Sequence, residues 1–230
     1  MRRALGAGAL LFAAVLCGCA IRPEFMKRPF APPARIAVLP FANESNNIDA
    51  PSLLQRLVWE GLSKGGYSLQ ALAETTEGLR RLGITDGGQL GSKKPEEIAR
   101  ALGVEGCLFG TVKSFKYVTL GVYQKREVIL AGEIRNAEGE GIWRNLGKAS
   151  RSELKLELDK AGENLARQLA VKWVEKIVSH PLYPEMQRSV YEMLMGLPQA
   201  GNVKRPVGSR VPRGYDESND FWRGTFGEIK

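Results

Sequence analysis

The serine at position 63 is the first residue whose neighbours suggest catalysis. It lies in Gly61-Leu62-Ser63-Lys64-Gly65, the G-x-S-x-G pattern of a hydrolase nucleophile, and Asp159 and His180 follow in triad order. That motif needs a strand before the serine and a helix after it, because the turn between them exposes the hydroxyl. Here an amphipathic segment precedes the serine and Gly65-Gly66 follow it. We predict that Ser63 ends a helix and that the chain has no catalytic residues, with a hydrolase as the alternative.

Metal and phosphate sites are not predicted. The chain has one histidine and three cysteines, and no Cys or His partners stand at the spacing of zinc ligands. Leu146-Gly147-Lys148-Ala149 falls short of a phosphate loop, since the first glycine is misplaced and Ala149 replaces the metal-binding hydroxyl. We therefore expect no cofactor and no metal.

Chemistry of another kind is indicated at Cys19. Arg2 and Arg3 precede an apolar run from Leu10 to Leu16, which is the layout of a secretory signal peptide and is too short for a permanent membrane span. Leu16-Cys17-Gly18-Cys19 is similar to a bacterial lipobox, in which the last cysteine becomes the fatty-acylated first residue. We predict a lipoprotein signal peptide over residues 1–18 and lipidation of Cys19. An ordinary signal peptide cleaved nearby is the alternative.

A polar loop follows the first buried strand. Ile36 to Pro40 is a short apolar run, and the segment from Phe41 to Asn47 after it is rich in polar side chains. Loops at this place in α/β folds often bind ligands beside a helix amino terminus. The candidate ligand or partner residues are Asn43, Glu44, Ser45 and Asn46. The alternative is local turn and cap hydrogen bonding by Asn43, Ser45 and Asn47.

The hydrophobic pattern predicts the elements around that loop. Pro51 begins a helix that ends at Gly65-Gly66, and residues 67–72 resemble a second strand. Two short helices follow, one ending at Gly83 and one running from Pro95 to Gly103. Residues 104–119, 122–135 and 142–149 are rich in β-branched and aromatic residues and are separated by turn residues, which indicates an antiparallel meander.

Two helices are predicted near the carboxyl end. The first spans about 159–179, with apolar residues at every fourth position, and the second begins at Pro184. The second carries Met186, Val190, Met193, Leu194 and Leu197, a stripe typical of core packing, with partner binding as the alternative. Residues 19–33 are predicted to be a tether, 34–197 an α/β domain and 198–230 a disordered tail.

Charge and cysteine content narrow the class of partner. Loss of Arg2 and Arg3 with the leader leaves 31 basic against 25 acidic residues, and this net charge near +6 favours anionic neighbours such as peptidoglycan or lipid headgroups. The basic residues are scattered, without the aromatic interleaving of a nucleic-acid groove, so no nucleic acid is expected.

After removal of the leader, Cys19 and Cys107 remain. Cys107 lies in an apolar run, which favours a buried core residue over a reactive thiol.

Two segments resemble a known family. Residues 36–45, IAVLPFANES, and residues 98–112, IARALGVEGCLFGTV, are similar to the GNA-type bacterial lipoproteins, a family of unknown function. Both elements recur in relatives such as the curli secretion subunit CsgG and the penicillin-binding-protein activator LpoB. The resemblance covers roughly residues 34–197 and implies an α/β domain similar to the N-terminal domain of TolB, with no enzyme activity.

The expected function follows from the leader and the resemblance together. We expect a lipoprotein anchored through Cys19 at the periplasmic face of the outer membrane, acting as a non-enzymatic accessory that binds other envelope proteins in assembly, secretion or cell-wall synthesis. The alternative is a homo-oligomeric subunit of a CsgG-like export complex. Peptidoglycan and further copies of the chain stay open as partners.

Overall fold

The computed structural model describes residues 23–27, 29–154 and 180–200. The strands are β1 (Glu24–Phe25), β2 (Ile36–Val38), β3 (Ala42–Asn43), β4 (Gly106–Leu120), β5 (Tyr123–Asn136) and β6 (Gly141–Leu154). The α-helices are α1 (Ala50–Lys64), α2 (Leu72–Arg81), α3 (Pro95–Leu102) and α4 (Tyr183–Leu194), and Gly87–Ser92 forms a 3-10 helix.

The strands form one mixed sheet in the order β1-β6-β5-β4-β2, with β3 also paired to β4. β4, β5 and β6 are an antiparallel meander, while β2 and β3 lie parallel to β4 at Gly106–Leu108 and Thr111–Val112. Parallel pairing needs a long crossover, which α1, α2 and α3 provide between β3 and β4. The predicted fold class, an α/β mixed sheet with an antiparallel meander packed by helices, is confirmed.

Helices pack on both faces of the sheet. On one face α1 and α4 contact each other and the meander, and their apolar residues form the larger core around Trp143. On the other face α2 and α3 cover the β2 end of the sheet with a smaller core that includes Leu79, Ile98 and Cys107. Because Met186, Val190, Met193, Leu194 and Leu197 are all fully buried, the core-packing interpretation of this stripe is confirmed.

Local sequence signals explain where the helices begin and end. α1 and α3 each carry a proline in the first turn, where the missing amide donor costs no helical hydrogen bond. α3 ends at Gly103, whose φ of 64° lies in the left-handed region that favours glycine. These boundaries agree with the predicted helices.

Other predicted boundaries differ from the structure. The predicted strand over residues 67–72 is wrong: Leu69 makes a single bridge to Ile36, and α2 already begins at Leu72. β6 continues beyond residue 149 to Leu154, because β5 pairs with it along that whole length. Two residues of β3 also lie inside the predicted polar loop.

The ends of the domain include residues that were assigned to the tether and the tail. Glu24–Phe25, within the predicted tether, pairs with Trp143–Arg144 of β6. At the other end, the Tyr67 hydroxyl donates to the Pro198 carbonyl, and the Ala200 amide donates to the Gly65 carbonyl at 3.3 Å. The signal peptide, Cys19, the predicted helix at 159–179 and residues 201–230 lie outside the described residues.

Candidate functional site

The far end of the meander is the most exposed part of the described sheet. We define the hairpin end as residues 116–127 of β4 and β5 with the facing residues 148–153 of β6. Among the described residues, β4 has a second neighbour only as far as Val112, where β3 stops, and beyond it pairs with β5 alone. A register shift between Val112 and Ser114 marks this transition. The hairpin end therefore extends past the strands that form the other edge of the sheet.

Large apolar side chains are concentrated there. Six large hydrophobic residues are exposed among those described, and four of them lie in this hairpin: Tyr117, Val118, Leu120 and Val122. Leu120 is 68% exposed and Val122 49%, on either side of the turn glycine Gly121, whose φ is 57°. Grouped exposed apolar residues commonly mark an interaction surface. This patch is the strongest candidate for a binding site in the described residues.

The pairing register determines which face each residue occupies. Side chains alternate along a strand, and directly paired residues share a face. Val118 pairs with Lys125 and Leu120 with Tyr123, so these side chains and that of Lys116 lie on one face, opposite the face of Phe115. On the Phe115 face, Arg126 lies 5.7 Å from the centre of the Tyr117 ring. The apolar residues are thus bordered by cations on both faces.

Positive charge dominates the hairpin end. It contains the five basic residues Lys116, Lys125, Arg126, Lys148 and Arg151 against Glu127 and Glu153. Both carboxylates are engaged internally: Glu127 bonds Ser114 at 2.8 Å and Lys125 at 3.1 Å, and Glu153 pairs with Arg151. The Ser114 hydrogen bond, with help from Lys125, holds the pKa of Glu127 below its ordinary value. Lys116 lies opposite Glu127 on the neighbouring strand and also helps to lower its pKa, so that carboxylate is shared by two lysines, while Lys148 forms no ion pair among the described residues. Five basic residues against two carboxylates leave the surface basic around an apolar centre.

The predicted ligand loop lies beside the bulge where this extension begins. The Asn43 side chain donates to the Asn47 carbonyl at 2.8 Å and accepts from the Ser45 amide and hydroxyl at 3.0 and 2.7 Å. The Asn47 carboxamide oxygen accepts from the Asp49 and Ala50 amides at 3.0 and 2.9 Å, which caps α1. These bonds are the turn and cap interactions of the alternative interpretation. Binding of a ligand by the loop stays a prediction.

The other two candidate residues of this loop point outward. Glu44 is exposed and forms an ion pair with Lys113 on the bulge of β4. Asn46 is exposed and has no hydrogen-bond partner among the described residues. The tertiary structure therefore joins Glu44 to the base of the hairpin end.

The residues considered for hydrolase chemistry are not brought together in the described part. Ser63 is exposed in the last turn of α1, as predicted. The His180 ring contacts Phe115 with 5.4 Å between centroids, and its Nδ1 accepts from the Leu182 amide at 3.2 Å. Burial lowers the pKa of His180, although the negative charge of Asp49 opposes this shift. Asp159 lies outside the described residues.

The Cys107 thiol is buried in the smaller core. It is 1% exposed, and burial raises its pKa to about 12. A thiol with so high a pKa is almost entirely protonated near neutral pH, and the thiolate is the reactive form. The prediction of a buried core residue is confirmed.

Among the described residues, no helix is long and apolar enough to cross a bilayer, and no three His, Cys, Asp or Glu side chains are grouped so as to hold a metal ion. A cavity of about 390 Å³ is lined by Lys27, by residues 29–31, by Pro33 and by the β5–β6 turn. Of its lining residues, Lys27 donates to the Glu140 carboxylate, and the Glu105 carboxylate accepts from the Ala34 amide.

Sequence reasoning identified the strands of the hairpin end but not the surface. The available signal was the run from Tyr117 to Tyr123, in which apolar residues occupy both faces of a ribbon around Gly121. A strand of a packed sheet would show the same composition, so the run alone does not separate a buried strand from an exposed one. The exposure of these residues follows only from the tertiary packing, in which no described helix covers this end of the sheet.

Comparisons with known proteins give similarities of fold. No protein-family model matches the chain, and a search of curated proteins finds no match. The solved lipoprotein GNA1162 from Neisseria meningitidis is 22% identical, with 56% of this chain and 88% of that one covered and a TM-score of 0.48. A PelC dodecamer from Paraburkholderia phytofirmans is 18% identical, with 60% of this chain and 85% of that one covered and a TM-score of 0.39. The LpoB C-terminal domain from Escherichia coli is 19% identical, with 51% of this chain and 83% of that one covered and a TM-score of 0.39.

The sequence resemblance is to the same GNA-type lipoproteins and to LpoB. At these identities and TM-scores the similarities say nothing about a partner or an activity.

Proposed function

We propose that this chain is a lipid-anchored, non-enzymatic lipoprotein of the bacterial outer membrane that binds other envelope proteins at its periplasmic face. It would act as an accessory in assembly, secretion or cell-wall synthesis. The proposed location rests on the leader and on the lipobox-like sequence that ends at Cys19. The proposed likeness to the N-terminal domain of TolB rests on the sequence resemblance.

The observation that carries the binding role is the exposed apolar patch at the hairpin end. Tyr117, Val118, Leu120 and Val122 would lose contact with water on binding a partner, and the stabilisation is about 25 cal/mol for each Å² of apolar surface buried. These residues lie on the paired β4–β5 hairpin, which β6 flanks as far as Leu154, so docking needs little further ordering of the backbone. The hairpin end is therefore the proposed partner surface.

The environment of the potentially reactive groups supports a non-enzymatic role. The Cys107 thiol is buried with a pKa of about 12, and Nδ1 of His180 is occupied by the Leu182 amide. Ser63 stands at a helix end rather than at a strand-to-helix turn. A hydrolase that uses Ser63 would lose its activity in a Ser63→Ala variant, whereas we expect no activity that depends on this residue.

Site-specific photo-crosslinking in living cells tests the proposal. A photoreactive phenylalanine analogue replaces Leu120, and the matched control carries it at Arg81, whose side chain is 77% exposed on α2. We expect discrete protein adducts from position 120 and none from position 81. Absence of any protein adduct at 120 would contradict the binding role, and an adduct of twice the chain mass would favour the homo-oligomeric alternative.

A further inference from the structure

We infer that the partner of the hairpin end is a protein surface that is acidic around an apolar centre. The inference rests on the proposed function and names the chemistry of the partner. The apolar residues Val118 and Leu120 share a face with Lys116 and Lys125, and Lys148 stands on the same face of β6, opposite Ile129. A complementary surface therefore needs an apolar centre and carboxylates at the positions that meet these lysines.

The internal ion pairs leave a net positive rim. Glu127 and Glu153 each bond a basic residue of the hairpin end itself. Lys116 shares Glu127 with Lys125, Lys148 forms no ion pair among the described residues, and both Lys116 and Lys148 are exposed. Charges of this kind increase the rate of association with an oppositely charged surface and disfavour partners of like charge.

The position of the chain's amino-terminal segment keeps the lipid anchor away from the tip of the hairpin end. β1 joins the sheet at Glu24, opposite Arg144, whereas the tip residue Tyr123 pairs with Leu154, ten positions further along β6. That separation is roughly 33 Å at about 3.3 Å for each residue of a strand. Because β1 is antiparallel to β6, its amino-terminal end points toward the hairpin end, and Cys19, five residues before Glu24, is at most about 18 Å from that residue. An acyl chain on Cys19 can therefore reach the level of Lys148 but stays roughly 15 Å short of the tip.

The charge of the hairpin end argues against a second hairpin end as the partner. Each hairpin end carries five basic residues against two carboxylates, so two of them repel each other. An acidic protein surface complements this charge and agrees with the proposed protein-binding role, and an anionic bilayer is distinguished from it by the type of crosslinked adduct.

Crosslinking from position 120 in cells also tests this inference when it is combined with charge reversal. One variant carries Lys116→Glu and Lys148→Glu, and the matched control carries Lys93→Glu and Lys94→Glu, two exposed lysines before α3. We expect the yield of protein adducts to fall roughly five-fold or more in the first variant and to stay unchanged in the control. We also expect the crosslinked peptides of the partner to contain several Asp or Glu residues.

The outcomes separate this inference from the proposed function. Protein adducts that persist equally in both variants, or partner peptides without acidic residues, overturn the acidic partner but leave a protein partner in place. Adducts with phospholipid, or only with another copy of the chain, also overturn it. Absence of all protein adducts from the unreversed chain refutes the proposed function as well. Equal midpoints of thermal unfolding for the two variants show that a difference in adduct yield arises from the changed surface charge and not from a loss of folding.

Discussion

Gly147 of β6 lies directly under Ser189 of α4. A Cβ atom at position 147 would be 1.8 Å from the Ser189 carbonyl oxygen and 2.7 Å from the Met193 nitrogen. The Ser189 hydroxyl donates to the Gly147 carbonyl oxygen at 3.1 Å. This contact sets how closely the last helix approaches the meander, and so it holds the sheet from which the hairpin end extends.

Substitution Gly147→Ala should therefore be severely destabilising. The atoms that a methyl group would meet belong to the backbone of α4, so the helix must move away as a unit. We expect a loss of about 3 kcal/mol or more in the free energy of unfolding, measured by chemical denaturation. Gly91→Ala is the matched control, because a Cβ there meets no atom within 4 Å. A loss below about 1 kcal/mol for Gly147→Ala would show that α4 is not held in this position.

Asn145 should stabilise the carboxyl end of the same helix. Its buried side-chain amide donates to the Met193 carbonyl at 2.7 Å and to the Glu192 carbonyl at 3.1 Å. Loss of this buried donor in Asn145→Ala should lower the free energy of unfolding by about 1–3 kcal/mol. Asn145→Asp should lower it further at pH 7, since a carboxylate would face carbonyl oxygens at the negative end of a helix. Equal effects of the two substitutions in denaturation experiments would contradict this role.

Two neighbouring asparagines should differ in their effect on stability. Asn47→Ala removes the oxygen that accepts from the Asp49 and Ala50 amides and should cost about 1 kcal/mol. Asn46→Ala should change the free energy of unfolding by less than about 0.5 kcal/mol, because this exposed side chain bonds no described residue. Thermal unfolding of the two variants measures the difference, and the reverse order would be inconsistent with a cap at Asn47.

The buried thiol should make stability depend on pH in the alkaline range. Burial raises the pKa of Cys107 from 9.0 to about 12, so the folded state keeps a proton that the unfolded state releases. The unfolded state then binds fewer protons, and stability falls between pH 9 and pH 12, by about 1.4 kcal/mol per pH unit from this group. Denaturation curves across that range should show a shallower fall for Cys107→Ala than for the unchanged chain. Parallel falls would exclude the thiol as the cause.

Lipidation should depend on one cysteine. Cells given labelled palmitate should incorporate label into the unchanged chain and not into Cys19→Ala, which should keep residues 1–18. Cys17→Ala is the control and should still be labelled, because residue 17 belongs to the predicted leader. Mass spectrometry that finds the first residue of the mature chain elsewhere, or finds no acyl chains, would refute the anchor.

Local patterns in the sequence were sufficient for most helices and for the strands of the meander. Pro51, Pro95 and Gly103 mark helix ends through backbone geometry alone, and the apolar stripe that begins at Met186 faces the core because its spacing matches the helical turn. The burial of Cys107 followed from its apolar neighbours. Each of these features depends on residues close together in the chain.

The remaining features depend on contacts between distant parts of the chain, which no local pattern contains. Residues 67–72 have the composition of a strand, but they pair with β2 only through the two backbone hydrogen bonds that Ile36 makes with Ser68 and Gln70. Residues 24–25 form a strand only because Trp143 and Arg144 lie beside them. Likewise, β4 and β5 pair as far as the turn, but Tyr117, Val118, Leu120 and Val122 are exposed because no described helix covers them. The sequence alone thus determined which segments are helical, extended or apolar, whereas the tertiary packing of helices and strands decided which apolar residues stay exposed for a partner.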